Sequence, residues 1–296
     1  MEIRVLRYFL ESARTGSITR AAERLHVTQP TLSRQLKGLE EELGKKLFVR
    51  GSTSIRLTNE GRLLKERAED ILSMVDRTAA EFKVLDDFAG GDLHIGCAES
   101  QGIRHLARAV HHLQQRYPRI RLHLHSGNAE NVSERLDRGL LEFAVIVRDV
   151  DASRYNSLEI PHHDAWGLIL RQDDPMAAKD AIRLEDLMDI PLICSRQSME
   201  SEYPKWFGDS MDKLNIVATY NLLFNAAVMV REGLGCALGF DHLVDTGPES
   251  GLCFRPLEPA LLTPMHLIWR KHQTFTPVGQ LLLDEMHHQF KTGQGQ

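Results

Sequence analysis

Gln29, Thr31, Ser33, Arg34 and Lys37 are spaced to share the outer face of one helix, and their side chains are of the types that read or grip DNA. A Gln amide bonds adenine through both of its ends, an Arg fork does the same to guanine, and Ser or Thr serves either base. Arg34 and Lys37 can equally pair with phosphate, which sets the register without reading sequence. Elsewhere the chain has no Gly-rich phosphate loop and no GxSxG elbow, so it is not expected to be an enzyme. Cys97, Cys194, Cys236 and Cys253 lie far apart inside apolar runs, with no CxxC pair, and read as reduced core thiols. The 14 histidines include His111-His112, His162-His163 and His287-His288, and His123 and His125 share a strand face. No Cys or carboxylate stands at ligand spacing on the same element, so neither a metal nor a cofactor is expected.

The elements that must carry the polar set follow from apolar spacing. Ile3, Leu6, Phe9, Leu10 and Ala13 predict a first helix ending at Gly16. Ser17 is a natural N-cap for a second, with Ile18, Ala21, Ala22 and Leu25 inward and small residues where two helices cross. Thr28 caps a third, Pro30 sits in its first turn where a missing amide donor costs little, and Leu32, Leu36, Leu39 and Leu43 lead to a stop at Gly44. Two short helices joined by a tight turn make a helix-turn-helix. Leu47-Phe48-Val49 and Ile55-Arg56-Leu57 then read as a hairpin wing around a polar turn at 51–54, flanked by Lys45, Lys46, Arg50 and Arg56.

The run ITRAAERLHVTQPTLSRQLKGLEEELGKKLFVR, with LTNEG after the wing, resembles the DNA-binding domain of LysR-type regulators across its full length. The resemblance implies that Gln29, Pro30, Ser33 and Arg34 lie in the major groove and that Arg50 and Arg56 touch DNA from the wing. Thr28, Thr31 and Lys37 complete the candidate DNA-binding set. Charge agrees: residues 1–65 hold 13 Lys+Arg against 7 Asp+Glu, whereas the whole chain of 296 residues has a formal net charge of -5. A basic head on an acidic body suits contact with a polyanion.

From Thr58, small or apolar residues recur at Leu64, Ala68, Ile71, Val75, Thr78, Phe82, Leu85 and Ala89, in alternating steps of four and three. That is a heptad seam. Some 30 residues of helix span roughly 45 Å, too long for such a seam to be buried on a small head. A dimerisation helix over 59–90 is therefore expected, stopped by Gly90-Gly91. Two heads on one axis require an interrupted inverted repeat in double-stranded DNA.

Beyond Gly91 the pattern alternates strand and helix, which implies a parallel sheet covered on both faces. Strands are expected at 92–97, 121–125, 142–147, 166–170, 191–194, 215–219, 235–240 and 266–270. Helices are expected at 101–116, 129–138, 203–213, 222–232 and 277–291. GDLHIG, YPRIRLHLHSGN, LEDLMDIPLI and VREGLGCALGF resemble landmarks of the LysR-type effector domain, a two-lobed fold like that of periplasmic binding proteins. The organisation expected is thus α/β overall: an N-terminal all-α winged helix-turn-helix (1–58), a long linker helix (59–90) and an effector domain (91–296). Lobe I is 92–161 plus 266–296, and lobe II is 162–265.

Ligands in such folds sit at the carboxyl ends of strands, where helix N-termini point amides inward. That rule nominates Ser100, Gln101, Asn128 (beside Gly127) and Arg148 from lobe I, with Ser195, Arg196, Asn221 and Phe240 from lobe II. Arg148 or Arg196 could pair a carboxylate, so a small organic anion is the ligand class expected. Glu232 and Phe240 stand where the family often has a small residue and a proline. No apolar run is long enough for a membrane span and the N-terminus lacks a signal-peptide pattern, so a cytoplasmic location is expected. The expected function is effector-modulated transcription regulation by a homodimer. The resemblance extends this to a homotetramer and admits RNA polymerase as a further partner. The alternative is an effector-independent DNA-binding regulator whose C-terminal domain serves only oligomerisation.

Overall fold

A computed structural model describes residues 1–51, 54–84 and 90–293, the side chains of Arg50, Arg77, 80–84 and 292–293 excepted. The chain divides into two compact units, Met1–Asp86 and Asp87–Gln296.

In the first unit, α1 (Ile3–Thr15), α2 (Ile18–Arg24) and α3 (Gln29–Leu43) surround Leu6, Phe9, Ala21, Ala22, Leu32, Leu36 and Leu39, all essentially inaccessible to water. The caps are those the spacing predicts. The Ser17 hydroxyl accepts the Arg20 amide, Thr28 Oγ1 accepts the Thr31 amide, and Gly16 and Gly44 end their helices in the left-handed region. The inward face of α1 is turned slightly from the one expected. Val5 and Ser12 are buried while Ile3 is exposed, and Ser12 tolerates burial because its Oγ donates to the Tyr8 carbonyl at 2.8 Å.

The wing is β1 (Phe48–Arg50) paired antiparallel with β2 (Ile55–Leu57), Val49 opposite Arg56. The Ile55 amide bonds the Gly16 carbonyl at 2.9 Å, tying the wing to the end of α1. Helix α4 (Asn59–Val84) starts at Thr58, whose hydroxyl accepts the Gly61 amide at 2.9 Å and donates to the Lys46 carbonyl at 2.7 Å. Its first half corrects one expectation. Ala68 and Leu72 are buried and Leu64 and Ile71 half-buried against the core of their own head, and Arg7 pairs with Asp76 at 2.5 Å. Part of the seam is therefore spent within the unit, because α1 lies along α4. Beyond it Val75 is half-buried and Thr78 exposed. The side chain of Phe82, together with Leu85 and Ala89, lies outside the described residues.

The second unit is built on nine strands: β3 (Asp92–Cys97), β4 (Arg121–Ser126), β5 (Phe143–Val147), β6 (Tyr155–Arg171), β7 (Leu192–Ser195), β8 (Ile216–Tyr220), β9 (Cys236–Phe240), β10 (Leu252–Pro256) and β11 (Leu262–Arg270). Their order is β4-β3-β5-β11-β6-β9-β7-β8, with β10 also on β6. Helices α5 (Ile103–Arg116) and α9 (Pro277–Gly293) bury one face of the first lobe, and α6 (Ala129–Asp137) covers the other. Helices α7 (Tyr203–Phe207) and α8 (Leu223–Arg231) cover the second lobe.

The sheet is mixed rather than parallel. β3, β4 and β5 run parallel, as do β7, β8 and β9, but β11 and β6 are antiparallel to each other and to their neighbours. The expected lobe boundaries at 161/162 and 265/266 fall inside β6 and β11, so continuous strands join the lobes instead of loops. β6 begins eleven residues before the 166–170 run because its first half is largely water-facing and carries little apolar signal. β10 was not anticipated. The 203–213 helix stops at Phe207 and continues as a 3-10 turn after Gly208, which adopts a positive φ of 53°.

Candidate DNA interface and ligand cleft

The outer face of α3 is what the polar spacing requires. Thr28, Gln29, Pro30, Thr31, Arg34 and Lys37 are exposed and Ser33 is half-buried. Thr28 and Thr31 share a hydroxyl–hydroxyl bond of 2.8 Å at the helix start, and Lys37 lies 3.4 Å from Glu41 one turn on. An α-helix with side chains is about 10–12 Å across, the width of the major groove, so this face can enter with its first two turns against base edges. Arg56 is exposed on β2, beside an exposed Val49. The Arg50 side chain lies outside the described residues.

Two residues behind this face do work that the spacing did not reveal. Glu40, in the last turn of α3, is 5% exposed. Its Oε1 accepts the amides of Leu47 (2.8 Å) and Phe48 (3.3 Å), and Oε2 accepts Lys46 Nζ at 3.1 Å. Burial pushes the Glu40 carboxyl upward, but the two amides and the Lys46 ammonium outweigh it and leave its pKa below the usual range. This carboxylate fixes the wing on the reading helix. Gly61 lies where α4 crosses the wing, so close to the Leu47 carbonyl that a Cβ would stand 2.1 Å from the oxygen.

In the second unit the ends of β3, β4, β5, β7, β8 and β9 meet at a cleft between the lobes, with a free volume of about 60 Å³. Of the eight nominated residues, Asn128, Ser195, Asn221 and Phe240 line it, together with Gly127. Asn128 Oδ1 also caps α6 by accepting the Asn131 amide at 3.0 Å.

The other four face elsewhere. Ser100 is buried: its hydroxyl donates to Asp164 Oδ2 at 2.6 Å and accepts the Gly102 amide at 2.9 Å. Gln101 Nε2 donates to the His242 carbonyl at 2.6 Å, a strap between the lobes. Arg148 lines a separate surface hollow with Asp149, Asp151 and Arg154. Arg196 is exposed and lines an outer hollow that shares Asn128 and Asn221 with the cleft. The ion pair expected for a carboxylate ligand is therefore not assembled inside the cleft.

What does line it was partly missed. Trp166 and Phe240 stand 4.3 Å apart between ring centres, with Tyr220 nearby. Trp166 Nε1 is committed to Thr263 Oγ1 (2.9 Å) and Tyr220 OH to the Leu238 carbonyl (2.6 Å), which fixes both rings. Glu99 Oε2, from lobe I, accepts the Leu223 amide at the start of α8 at 3.0 Å. Gln197 Oε1, from lobe II, accepts the Ala129 amide at the start of α6 at 2.9 Å. Each lobe thus satisfies an otherwise orphaned helix amide of the other. Lys205 and Asp149 add a cross-lobe ion pair at 2.7 Å. The signal for Glu99 was its place just beyond the first strand, one residue before the nominated pair.

All four cysteines are buried. Burial pushes the thiols of Cys97, Cys194 and Cys236 up to about 12, and that of Cys253 upward. Among the described residues no group of three His, Cys, Asp or Glu is placed to hold a metal ion, and no helix is long and apolar enough to cross a membrane.

Comparison with known proteins places the two units. Residues 3–62 match the family model described as bacterial regulatory helix-turn-helix protein, lysR family. Residues 87–291 match the LysR substrate binding domain. An uncharacterized HTH-type transcriptional regulator, YvbU, of Bacillus subtilis is 28% identical over 80% of this chain and 81% of its own. A hydrogen peroxide-inducible genes activator of Pectobacterium carotovorum is 32% identical, the match spanning 63% of this chain and 62% of that relative. The crystal structure of full-length CbnR with its target DNA superposes with a TM-score of 0.74 at 20% identity, over 97% of this chain and 99% of that one, which shows a shared fold.

Proposed function

Because the chain belongs to the LysR family of DNA-binding transcriptional regulators, we propose that it binds an interrupted inverted repeat as a homo-oligomer and changes its grip when a small molecule enters the inter-lobe cleft. The observation that carries the reading is the exposed start of α3, where Gln29, Pro30 and Arg34 are open to water. Arg34 reads a base; Lys37 and Arg56 contact phosphates and fix the register. Two copies join along α4, where Leu63 (56% exposed) and Met74 (44%) continue a face that their own head leaves uncovered. Pairs of dimers form the tetramer, the protein acts in the cytoplasm, and RNA polymerase is the partner through which a changed DNA geometry is felt. A small organic carboxylate, the class expected from Arg148 and Arg196, would have to find its counter-charge outside the cleft lining.

Effector coupling follows from population shift: a ligand that fits one arrangement of the lobes better favours the DNA spacing belonging to it, with about 1–3 kcal/mol of coupling. Footprinting the protein on DNA upstream of its own gene, with and without a panel of small molecules, tests this. A protected inverted repeat whose pattern changes with one compound supports the whole reading. Protection indifferent to every compound favours the second reading, an effector-independent regulator whose second unit serves assembly. In the same assay Arg34→Ala is expected to weaken binding about 10- to 100-fold and relax one base position. Unchanged affinity assigns Arg34 no base.

One relative is named an activator of hydrogen peroxide-inducible genes, but a direct reaction with peroxide finds no support in these thiols. The thiolate is the reactive form, and buried groups raised this far carry almost none at neutral pH. Treatment with millimolar hydrogen peroxide is expected to leave DNA affinity unchanged and all four cysteines alkylatable after denaturation. Loss of one or more on the timescale of minutes would contradict that.

A further inference from the structure

Among the described residues Glu99 is the one charged side chain lining the cleft. The helix amides that would greet an anion there are already occupied, Leu223 N by Glu99 itself and Ala129 N by Gln197. The surface hollows around it add no net positive charge: Arg196 at the outer hollow stands with Glu130 and Glu134, and the separate hollow sets Asp137, Asp149 and Asp151 against Arg148 and Arg154. Walls of Trp166, Phe240 and Tyr220 present ring carbon to the same space, and their polar ends are committed elsewhere. An entering anion would face a fixed carboxylate without a counter-ion, in a pocket whose apolar walls weaken screening. A cation meets the reverse: a carboxylate oxygen and aromatic faces.

The geometry points to a compact organic cation, of which a protonated alkylamine is the simplest, as the ligand of this cleft; the inference rests on reading the cleft as the effector site. The ammonium donates to the Glu99 oxygen that Leu223 does not engage, and to Ser195 or the Gln197 side-chain oxygen. Its alkyl stem lies against Trp166 and Phe240. A ligand bonded to Glu99 and Gln197 at once holds lobe I to lobe II, so binding and lobe closure are the same event.

The test uses full-length protein at fixed pH and ionic strength, by thermal unfolding and calorimetry. The probes are alkylammonium ions from methyl to butyl, the carboxylates of matched length, and the neutral amides. Stabilisation by the ammonium ions, little by the amides and none by the carboxylates is the expected result. Glu99→Gln still offers an oxygen to the Leu223 amide and so keeps the fold; it should weaken ammonium binding at least tenfold. Gln197→Glu adds a second carboxylate while still accepting the Ala129 amide, and should tighten binding severalfold. Ammonium affinity unchanged in Glu99→Gln overturns the role of Glu99. Carboxylates that stabilise the wild type more than amines overturn the cationic class and leave the effector cleft standing. No stabilisation by any probe, in wild type and variants alike, overturns both.

Discussion

Gly61→Ala is expected to destabilise the head by about 2–3 kcal/mol, although alanine is the better helix former. The gain from helix propensity is at most about 1 kcal/mol. Against it stands a new methyl group whose carbon would sit 2.1 Å from the Leu47 carbonyl oxygen and 3.0 Å from Leu57 Cδ2. A long side chain could swing aside, but this oxygen belongs to the backbone. It also accepts the Thr58 amide at 3.0 Å, so moving it breaks the junction between wing and α4. Overpacking costs about 1–3 kcal/mol and occasionally more, and against a backbone oxygen at 2.1 Å the upper end applies, so the clash wins. Native-state hydrogen exchange of the α1–α3 amides measures the loss in this unit alone, and DNA affinity should fall with it. Gly38→Ala is the matched control. A Cβ there meets nothing within 4 Å, so the same change on α3 should stabilise by about 0.5–1 kcal/mol. Equal, small effects at the two glycines would show that the close approach at Gly61 does not exist.

The contrast between these glycines marks where sequence reasoning reached its limit. Spacing located α1, α2 and α3, with their caps at Ser17 and Thr28, because apolar periodicity and capping are local properties of consecutive residues. It could not separate Gly38 from Gly61, since only a second segment folding back onto the helix distinguishes them. The same limit applies to α4. Leu64, Ala68 and Ile71 sit at heptad spacing, yet the head takes them, because a stripe does not state which partner covers it. In the second unit the buried strands β3, β5 and β9 were legible as apolar runs, whereas the water-facing start of β6 was not.

The cleft was legible by rule and obscure in detail. The strand-end rule nominated Asn128, Ser195, Asn221 and Phe240, and these four line the cleft, since their position depends on topology alone. Which charged residue turns inward depends on side-chain direction. Arg148 and Arg196 follow their strands just as Glu99 follows β3, yet only Glu99 is drawn in, by the free amide at the start of α8. A helix N-terminus from the other lobe selects a carboxylate, and no local pattern announces that pairing.

Glu40→Ala is expected to cost the head about 2–4 kcal/mol and to cut DNA affinity in proportion to the fraction of heads whose wing is displaced. The change strands two backbone donors, the amides of Leu47 and Phe48, in a site that is 5% exposed. Each buried donor left without a partner costs about 1–3 kcal/mol, and a carboxylate acceptor makes the lost bonds stronger than average. The Lys46 pair adds little, because its ammonium is 74% exposed and stays hydrated without Glu40. Acid should act through the same contacts. The folded carboxyl titrates below its ordinary value, burial opposing and the amides with Lys46 prevailing. Its contribution is thus complete above the unfolded pKa of about 4.3 and lost as pH falls through the lower folded value. Exchange of the Leu47 and Phe48 amides should accelerate below about pH 4 in the wild type, beyond what unfolded chains show. Glu40→Gln keeps the one oxygen that serves both amides but loses the acceptor facing Lys46 and carries no titrating charge. It should therefore start less stable and lose less stability on acidification than the wild type. A wild-type head whose stability fell no more steeply than that of Glu40→Gln would remove Glu40 from the acid response and leave its effect on the wing to the alanine variant alone.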